Sequence, residues 1–283
     1  MKIIFGILAS NNDNLLKESW VKSIKNFKNT DNKNLIDFFF LYSENTINEL
    51  TNQDIQNRTD QHGNRLFYDY YSETKDETDT SSFVTRSISI LKHLDQSQDG
   101  LPTYFIRTDI TTLFDFNKMT TWLEDKPTEL FFGGSIVNSI QPNNFFLSGT
   151  NLILSKDISK FLIQNQDIIT QELADKSDDL AISNAIIKNV NVNLCSVKRI
   201  DFLCNETSKF INYHKCVPYD KNIFCFRFKT LDKPFDISLM DKLTFLISTS
   251  HFDLNDFIKN TNLKITSQHP EYDMLSDNIF KLT

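Results

Sequence analysis

The sequence predicts an α/β fold in which helices cover both faces of a mostly parallel central sheet. Apolar runs alternate along the chain with segments of helical spacing, which is the pattern of strands connected through helices. Residues 2–9 form a continuous apolar run, which is typical of a strand buried on both faces. Of the 283 residues, 40% are hydrophobic and 25 are Phe, so the chain can bury a large core.

The predicted elements follow one another with few long gaps. Eight segments have the apolar pattern of strands: residues 2–9, 35–42, 65–71, 103–108, 130–137, 145–154, 192–203 and 223–229. Six segments place apolar residues at helical spacing: residues 15–27, 82–94, 114–123, 156–164, 177–188 and 237–247. Asp13 and Ser177 are predicted N-caps. The polar segment 44–63 is predicted to be irregular, with one helical turn.

Composition and motifs exclude several classes of protein. The net charge is −7, which is the reverse of the balance that phosphate contacts require in a nucleic-acid binder. No run reaches the roughly 18 apolar residues that span a bilayer, and the first run is too short for a signal peptide. We therefore expect a soluble, cytoplasmic chain with free thiols. GxGxxG, P-loop, GxSxG and HExxH motifs are missing, which removes the common dinucleotide, NTPase, α/β-hydrolase and zincin classes.

Polar residues at strand ends are the first candidates for a site, because ligands of parallel sheets bind beyond the carboxyl ends of the strands. Ala9 and Ser10 end the first predicted strand, and Asp109 follows the strand 103–108. Asp109 is the clearest case, since the strand before it is too apolar to lie at the surface. On the residues alone, Asp109 could also cap the following turn, or serve an unrelated hydrolase or phosphotransferase.

Three sequence phrases occur in a characteristic order: Arg107-Thr-Asp-Ile-Thr-Thr-Leu-Phe114, Ser148-Gly-Thr-Asn-Leu-Ile-Leu-Ser155 and Ser177-Asp-Asp-Leu180. In this order and spacing they resemble the β-1,3-galactosyltransferase and N-acetylglucosaminyltransferase family of the GT-A fold. That family has phrases like K-T-D-D-D-T-F, then S-G-x-G-Y-V-L-S, then an E-D-V helix start. The resemblance covers most of residues 1–190.

The resemblance implies one Rossmann-type GT-A domain over residues 1–283. Within it, residues 1–125 would be the nucleotide-binding half, 126–250 the acceptor and catalytic half, and 251–283 a tail. The implied activity is that of a hexosyltransferase that moves a sugar, with inversion, from a UDP-sugar to a hydroxyl of a glycan or glycoprotein. Most relatives are anchored Golgi enzymes, and this sequence shows no anchor. We therefore expect the acceptor in the cytoplasm, or in the host cytoplasm if the AT-rich composition reflects a viral source.

The resemblance also implies roles for individual residues. Asp179, at a helix start with Asp178 beside it, would be the general base that deprotonates the acceptor. Asp109 would help to hold a Mn²⁺ or Mg²⁺ ion against the diphosphate. Lys17 or Lys22 could stand for basic residues of the family's first helix. The expected donor-binding set is Ala9, Ser10, Arg107, Asp109, Thr111, Gly133, Gly134, Ser148, Gly149, Arg227 and Lys229.

The acidic triplet departs from the family pattern. Thr111 stands where the family has its second carboxylate, and a neutral hydroxyl is a poor ligand for a hard dication. Metal binding is therefore expected to be weakened or lost, with His214 the best histidine for any surviving site. Arg227 and Lys229, two apart on a strand and so on one face, could neutralise the diphosphate instead. A solvated basic face on an edge strand explains the same pair.

Other interpretations of these residues stay open. Asp178 and Asp179 are favoured at a helix N-terminus by the helix dipole alone. Gly149 and the Gly133–Gly134 pair could be strand bulges without a ligand, or the pair could let a donor approach. The rival hypothesis for function is a degenerate module that binds a nucleotide sugar or glycan without turnover. Thr111 favours that hypothesis, and the pair of aspartates disfavours it.

Overall fold

The structure is a computed structural model of the 283-residue chain. It describes residues 1–30, 35–43, 55–63, 65–72, 80–138, 145–174, 176–205, 208–212, 223–230, 232–249 and 279–281.

Strands and helices alternate over most of the described chain. The strands are β1 (Ile3–Leu8), β2 (Ile36–Ser43), β3 (Ile55–Thr59), β4 (Arg65–Ser72), β5 (Tyr104–Asp109), β6 (Thr112–Phe114), β7 (Phe131–Gly134), β8 (Ile136–Asn138), β9 (Phe145–Leu147), β10 (Asn151–Ser155), β11 (Asn193–Ser196), β12 (Arg199–Asn205), β13 (Ser208–Asn212), β14 (Cys225–Lys229) and β15 (Ile279–Lys281). The helices are α1 (Asn14–Lys28), α2 (Thr80–Gln96), α3 (Phe116–Glu124), α4 (Lys156–Gln164), α5 (Gln166–Leu173), α6 (Asp178–Asn189) and α7 (Lys233–Ser248), and a short 3₁₀ turn (Asn11–Asp13) precedes α1.

A mostly parallel central sheet confirms the predicted α/β class. Its strand order is β15-β11-β7-β10-β5-β1-β2-β4-β3. Strands β1, β2, β4, β5, β7 and β11 run in one direction, and β3, β10 and β15 run in the other. The carboxyl ends of β1 and β5 therefore lie side by side, with Leu8 in register with Asp109. This edge is where a ligand of such a sheet is expected to bind.

Helices cover both faces of the sheet, as the continuous apolar strands predict. Along β1, Ile3, Phe5 and Ile7 face a core shared with α1, α3 and α7, and the alternate residues Ile4 and Leu8 face a core shared with α2, α4 and α6. Phe5 is fully buried and packs edge-on against Phe114 and Phe116. Truncating such a ring to alanine costs about 3–5 kcal/mol of stability.

A second sheet of four strands, in the order β13-β12-β14-β6, is attached at the carboxyl edge of the first. The chain passes from β5 in the central sheet to β6 in the second sheet through a turn of two residues, Ile110 and Thr111. Ile200 and Phe202 of β12 join the core on the α1 side. By the alternation of strand side chains, Arg199 and Asp201 point to the opposite face.

Several predicted boundaries are wrong, each for a local reason. The predicted strands 130–137, 145–154 and 192–203 each divide in two, and in each case the two parts belong to different sheets, because β8 and β9 form a separate two-stranded sheet and β12 belongs to the second sheet. Phe114 belongs to β6 and not to α3, because Asp115 caps that helix by accepting a hydrogen bond from the backbone of Lys118 at 3.1 Å. Helix α5 was not predicted. Within 44–63, predicted to be irregular, residues 55–59 form β3, and 44–54 lie outside the described residues.

Two expectations concern the chain as a whole: free thiols, and no segment that spans a membrane. Cys195 and Cys225 are buried and are not joined in a disulfide. Over the described ranges, no helix combines the length and the apolar character needed to cross a membrane.

Candidate active site

Three segments meet at the carboxyl edge of the central sheet: the end of β5, the start of α6, and the turn between β9 and β10. We call this turn, formed by Ser148, Gly149 and Thr150, the 148–150 turn. The backbone of Asn151 closes it by donating to the carbonyl of Ser148 at 3.2 Å, and Thr108 of β5 donates its hydroxyl to the carbonyl of Thr150 at 2.6 Å. The three predicted sequence phrases are therefore in contact.

Arg107 of β5 binds both aspartates at the start of α6. Its Nη2 donates to Oδ2 of Asp178, and its Nη1 lies 3.4 Å from Oδ1 of Asp179. We call these three residues the acid–arginine cluster. The Arg107 side chain is only 4% exposed. Burial lowers the pKa of Arg107, but Asp178 and Asp179 raise it more, so the guanidinium stays charged. Removing one member of a buried ion cluster typically costs about 3–5 kcal/mol.

Gly149 fits against the acid–arginine cluster because it has no side chain. A Cβ at this position would lie far inside contact distance of Oδ1 of Asp179 and 2.7 Å from Nη1 of Arg107. Its backbone N–H donates a hydrogen bond to Asp179. A close approach of backbone to a carboxylate, and not a strand bulge, therefore explains this glycine.

Asp179 has the properties of a group that exchanges its proton near neutral pH. The pKa of Asp179 is raised to about 6, chiefly by burial and also by the neighbouring Asp178. Arg107 and the hydrogen bond from Gly149 act in the opposite direction. Side chains with such shifts are concentrated at functional sites. The α6 N-terminus alone would lower the pKa, so burial outweighs the helix dipole at Asp179.

Asp109 is the last residue of β5, as predicted, and its carboxylate organises the turn into β6. Its Oδ1 accepts hydrogen bonds from the Thr111 backbone at 3.0 Å, from the Thr111 hydroxyl at 2.8 Å and from the Thr112 hydroxyl at 2.9 Å. The structure thus gives Asp109 the turn-capping role that was one of its predicted interpretations. Thr111, in the position of the missing carboxylate, is a donor to Asp109.

Sequence analysis missed Arg199 and Asp201, which lie on β12 next to the 148–150 turn. Arg199 is 8% exposed. It donates through Nε and Nη2 to the two carboxylate oxygens of Asp201, at 2.5 and 2.9 Å. Its Nη1 donates to the hydroxyl of Ser148 at 2.8 Å and to the hydroxyl of Thr150. The spacing of two residues places Arg199 and Asp201 on one strand face, the signal that selected Arg227 and Lys229.

Arg227 and Lys229 lie on β14, in different surroundings. Arg227 is in register with Asp201 of β12 and with Thr112 of β6, so it lies beside the residues that hold Asp109. Its Nε is buried and has no hydrogen-bond partner. Lys229, two residues on, is exposed. Of this predicted pair, Arg227 is the one placed inside the site.

Gly133 and Gly134 of β7 are explained by packing. Both are buried, and neither strand pairing of β7 is interrupted by a bulge there. A Cβ on Gly133 would meet the Phe131 ring at 2.9 Å, and one on Gly134 would meet the Cβ of Leu147 at 3.1 Å. The two glycines let neighbouring side chains close over the strand. They remain only predicted as donor-binding residues.

The remaining predicted residues near β1 make contacts within the chain. Ser10 donates its hydroxyl to Oδ2 of Asp13 at 2.6 Å. The carbonyl of Ala9 accepts a hydrogen bond from Nη1 of Arg86 at 2.9 Å. Arg86 is a buried residue of α2 that sequence analysis did not select.

The two candidate lysines of α1 are both in ion pairs. Lys17 Nζ lies 2.5 Å from Oδ1 of the buried Asp69, and Lys22 Nζ lies 2.5 Å from Oδ2 of Asp241. Burial lowers the pKa of Lys17 and Asp69 counteracts it. Neither lysine is placed as an unpaired cation for a ligand.

Comparisons with known proteins give matches among solved structures. No protein-family model matches the chain, and no curated protein matches it. Among solved structures, the chain is similar to core-mannan synthase A (CmsA/Ktr4) from Aspergillus fumigatus in its Mn/GDP form, with 12% identity and a TM-score of 0.33. The match covers 66% of this chain and 69% of that one.

The residues around Asp109 fit a divalent cation poorly. Its Oδ1 already accepts three hydrogen bonds, and Thr111 supplies a hydroxyl in place of a carboxylate. In the described part of the chain no three His, Cys, Asp or Glu residues converge in a metal-binding group, and His214 lies outside that part.

Proposed function

We propose that the protein is a glycosyltransferase that transfers a sugar from a nucleotide sugar to a hydroxyl of a glycan or glycoprotein. The proposal rests on the environment of Asp179. The Asp179 carboxyl group has a pKa raised to about 6 and is held by Arg107 and Gly149 at the carboxyl edge of a mostly parallel sheet. A general base is most effective when its pKa lies near the working pH.

The proposed reaction is a single displacement at the anomeric carbon. Asp179 removes the proton of the acceptor hydroxyl, and the oxygen attacks the anomeric carbon from the side opposite the diphosphate. The bond between that carbon and the diphosphate oxygen breaks, and the nucleoside diphosphate leaves with the bonding electrons. The anomeric configuration is inverted, and the proton stays on Asp179 until solvent removes it. Asp178 balances the positive charge of Arg107, so this charge does not keep Asp179 permanently ionised.

The leaving diphosphate gains negative charge that must be balanced in the site. Arg107 and Arg199 already bind carboxylates. Arg227 is the better candidate. Its Nε, like that of Arg107, is buried without a hydrogen-bond partner, but among the described residues no carboxylate pairs with Arg227, and its strand neighbour Thr112 contacts Asp109. Lys229 is exposed on the same strand face and could contact the diphosphate from the solvent side. This arrangement supports a reaction that does not depend on a tightly bound metal ion.

The proposal also assigns a role to each half of the chain and names the expected donor. Residues 1–125 would hold the nucleotide, residues 126–250 would contribute the acceptor side, and a UDP-sugar is the expected donor. The acid–arginine cluster joins these halves, since Arg107 comes from the first and the aspartates from the second.

A thermal-shift screen tests donor binding. UDP-, GDP- and dTDP-sugars are added to the purified chain, each with and without manganese, because a ligand that binds the folded state raises the melting temperature. We expect one nucleotide class to stabilise the protein, with little added effect of manganese. Asp179→Asn should give the same shift, since the base does not contact the nucleotide. Asp236→Asn is the matched control, because Asp236 is a buried carboxyl of α7 whose pKa burial also raises to about 6, and it accepts a hydrogen bond from the backbone of Thr230. If no nucleotide sugar stabilises the chain, the proposal fails.

The contacts of Asp109 support a second candidate function. A carboxylate that accepts three hydrogen bonds from its own turn is suited to a module that binds a nucleotide sugar or glycan without turnover. Product formation separates the two candidates. A chain that is stabilised by a nucleotide sugar but releases no nucleoside diphosphate with any glycan acceptor is the binding module.

A further inference from the structure

We infer that Arg199 is a positioning residue of the candidate active site: paired with Asp201, it fixes the 148–150 turn and so holds Gly149 against the carboxylate of Asp179. The inference rests on the proposed function for its catalytic meaning, but its structural content can be tested without turnover.

Arg199 binds the residues on both sides of Gly149. One nitrogen, Nη1, donates to the hydroxyl of Ser148 and to the hydroxyl of Thr150. Its other two nitrogens donate to both carboxylate oxygens of Asp201, which fixes the plane of the guanidinium. The position of Gly149 relative to β12 is therefore determined by a planar group that is itself held at two points.

The 148–150 turn is also attached to the central sheet. The hydroxyl of Thr108 donates to the carbonyl of Thr150 at 2.6 Å, and the backbone of Ser148 donates to the carbonyl of Ser135 at 2.8 Å. Arg199 adds the attachment from the second sheet. With contacts from two directions, the turn has little freedom to move away from α6.

Gly149 transmits this position to Asp179. It donates a backbone hydrogen bond to the carboxylate, and there is no space for even a Cβ between them. The other charged groups that face Asp179 are Arg107 from β5 and Asp178 from α6. Because Arg199 is paired with Asp201, its effect on Asp179 is expected to pass through the turn and not through its charge.

The test removes the contacts of Arg199 while its charge is kept. Arg199→Lys retains a cation, but its three N–H donors cannot bind both carboxylate oxygens of Asp201 and both hydroxyls at once. Thr150→Val removes one acceptor without changing the shape of the side chain, and Thr150→Ser restores the hydroxyl as the matched control. The carbon-13 NMR titration of the Asp179 carboxyl group gives the readout, with the signal assigned from its disappearance in Asp179→Asn.

Loss of the turn contacts should weaken the hydrogen bond from Gly149, which favours the ionised form of Asp179. We expect the pKa of Asp179 to rise by about one unit in Arg199→Lys and in Thr150→Val, since a hydrogen bond to a charged group is worth about that much. In an active enzyme, the ionised fraction of Asp179 at pH 6 then falls about fivefold, and the fraction at pH 8 hardly changes. Thr150→Ser should titrate like the wild type.

The inference is overturned if the folded Arg199→Lys and Thr150→Val proteins keep the wild-type titration of Asp179. If Arg199→Lys does not fold, Thr150→Val alone decides, because the Arg199–Asp201 pair remains intact in it. If the pKa shifts but no variant or wild-type protein transfers sugar, the positioning role stands and the proposed function fails.

Discussion

Gly149 is the residue whose identity the site restricts most tightly. Any side chain there would be placed against the carboxylate of Asp179 and the guanidinium of Arg107. Neither group can give way easily, because Arg107 is buried between the two aspartates. A change at Gly149 should therefore act on the site directly, and not through the conformational freedom of the backbone.

We predict that Gly149→Ala costs about 1–3 kcal/mol of stability, the usual range for overpacking a filled site, and removes most activity. Gly63→Ala is the matched control. Gly63 has a φ of 79° with nothing within 4 Å of its Cβ position, so alanine there costs backbone strain only. Urea unfolding and a transfer assay measure both effects. A Gly149→Ala protein as stable and active as the wild type would show that the close approach does not exist.

The prediction about metal dependence concerns Arg227, which would balance the charge of the diphosphate in place of a metal ion. If side chains balance the charge of the diphosphate, activity should survive EDTA at least in part. Arg227→Ala should then weaken binding of the nucleoside diphosphate by about tenfold or more, since a charge-assisted hydrogen bond is worth about 1.5–3 kcal/mol. Lys229→Ala, on the exposed position of the same face, should have a smaller effect. Complete loss of activity with EDTA, restored by manganese, would contradict this assignment.

At the scale of elements, the position of α6 depends on its contact with α5. Glu172 of α5 lies 2.6 Å from Lys176 and 2.6 Å from Lys188, and accepts a hydrogen bond from Asn184 at 3.2 Å. Hydrogen bonds from Lys176, then from Lys188, lower the pKa of Glu172 to about 2. These contacts hold α6, whose second residue is the candidate base Asp179, against α5.

We predict that Glu172→Gln lowers stability by up to about 1 kcal/mol at neutral pH, since the lysines are partly exposed. A carboxyl whose folded pKa is below its unfolded value of 4.5 stabilises the fold above pH 4.5, and that contribution is lost as the pH falls towards 2. The difference between wild type and Glu172→Gln should therefore shrink over this window. Urea unfolding of the two proteins over this range of pH measures the difference. A pH-independent difference for Glu172 would contradict the ion pairing.

Local sequence patterns predicted where strands and helices occur better than they predicted which other strands and side chains these elements contact. The apolar run at residues 2–9 has one solution, a strand buried on both faces, and β1 is that strand. The run 192–203 looks equally continuous, but it divides because its second part pairs with β14 in another sheet. Arg199 and Asp201 were missed for the same reason. Their role depends on a turn some 50 residues away, which no local periodicity encodes.

The candidate site shows the same limit. Contact between the end of β5, the 148–150 turn and α6 could be predicted from the order of three phrases. The ion pairs of Arg107 with Asp178 and Asp179 could not be predicted, because an arginine inside an apolar strand gives no indication of which acids it will contact. Asp109 was the clearest residue in the sequence. In the structure its carboxylate organises a turn, since the neighbouring threonines are donors.

At the scale of the whole molecule, the proposed halves share their sheets. Strand β10, from residues 126–250, lies between β5 and β7, and β6, from residues 1–125, pairs with β14. We predict one cooperative unfolding transition with equal calorimetric and van't Hoff enthalpies. The separate fragment 1–125 should not fold, because the edge of β5 and the faces of both cores would be exposed. Two resolved transitions in calorimetry would contradict a single domain.

The central claim, that Asp179 is the base of a sugar transfer, is tested most directly by the turnover rate of Asp179→Asn at saturating nucleotide sugar. The amide keeps the shape of the carboxylate and loses its basicity, so the rate should fall by a factor on the order of 100 to 10,000 while the donor still binds. The wild-type rate should fall below a pH of about 6, as Asp179 gains its proton. An Asp179→Asn protein that transfers sugar at the wild-type rate would contradict the account.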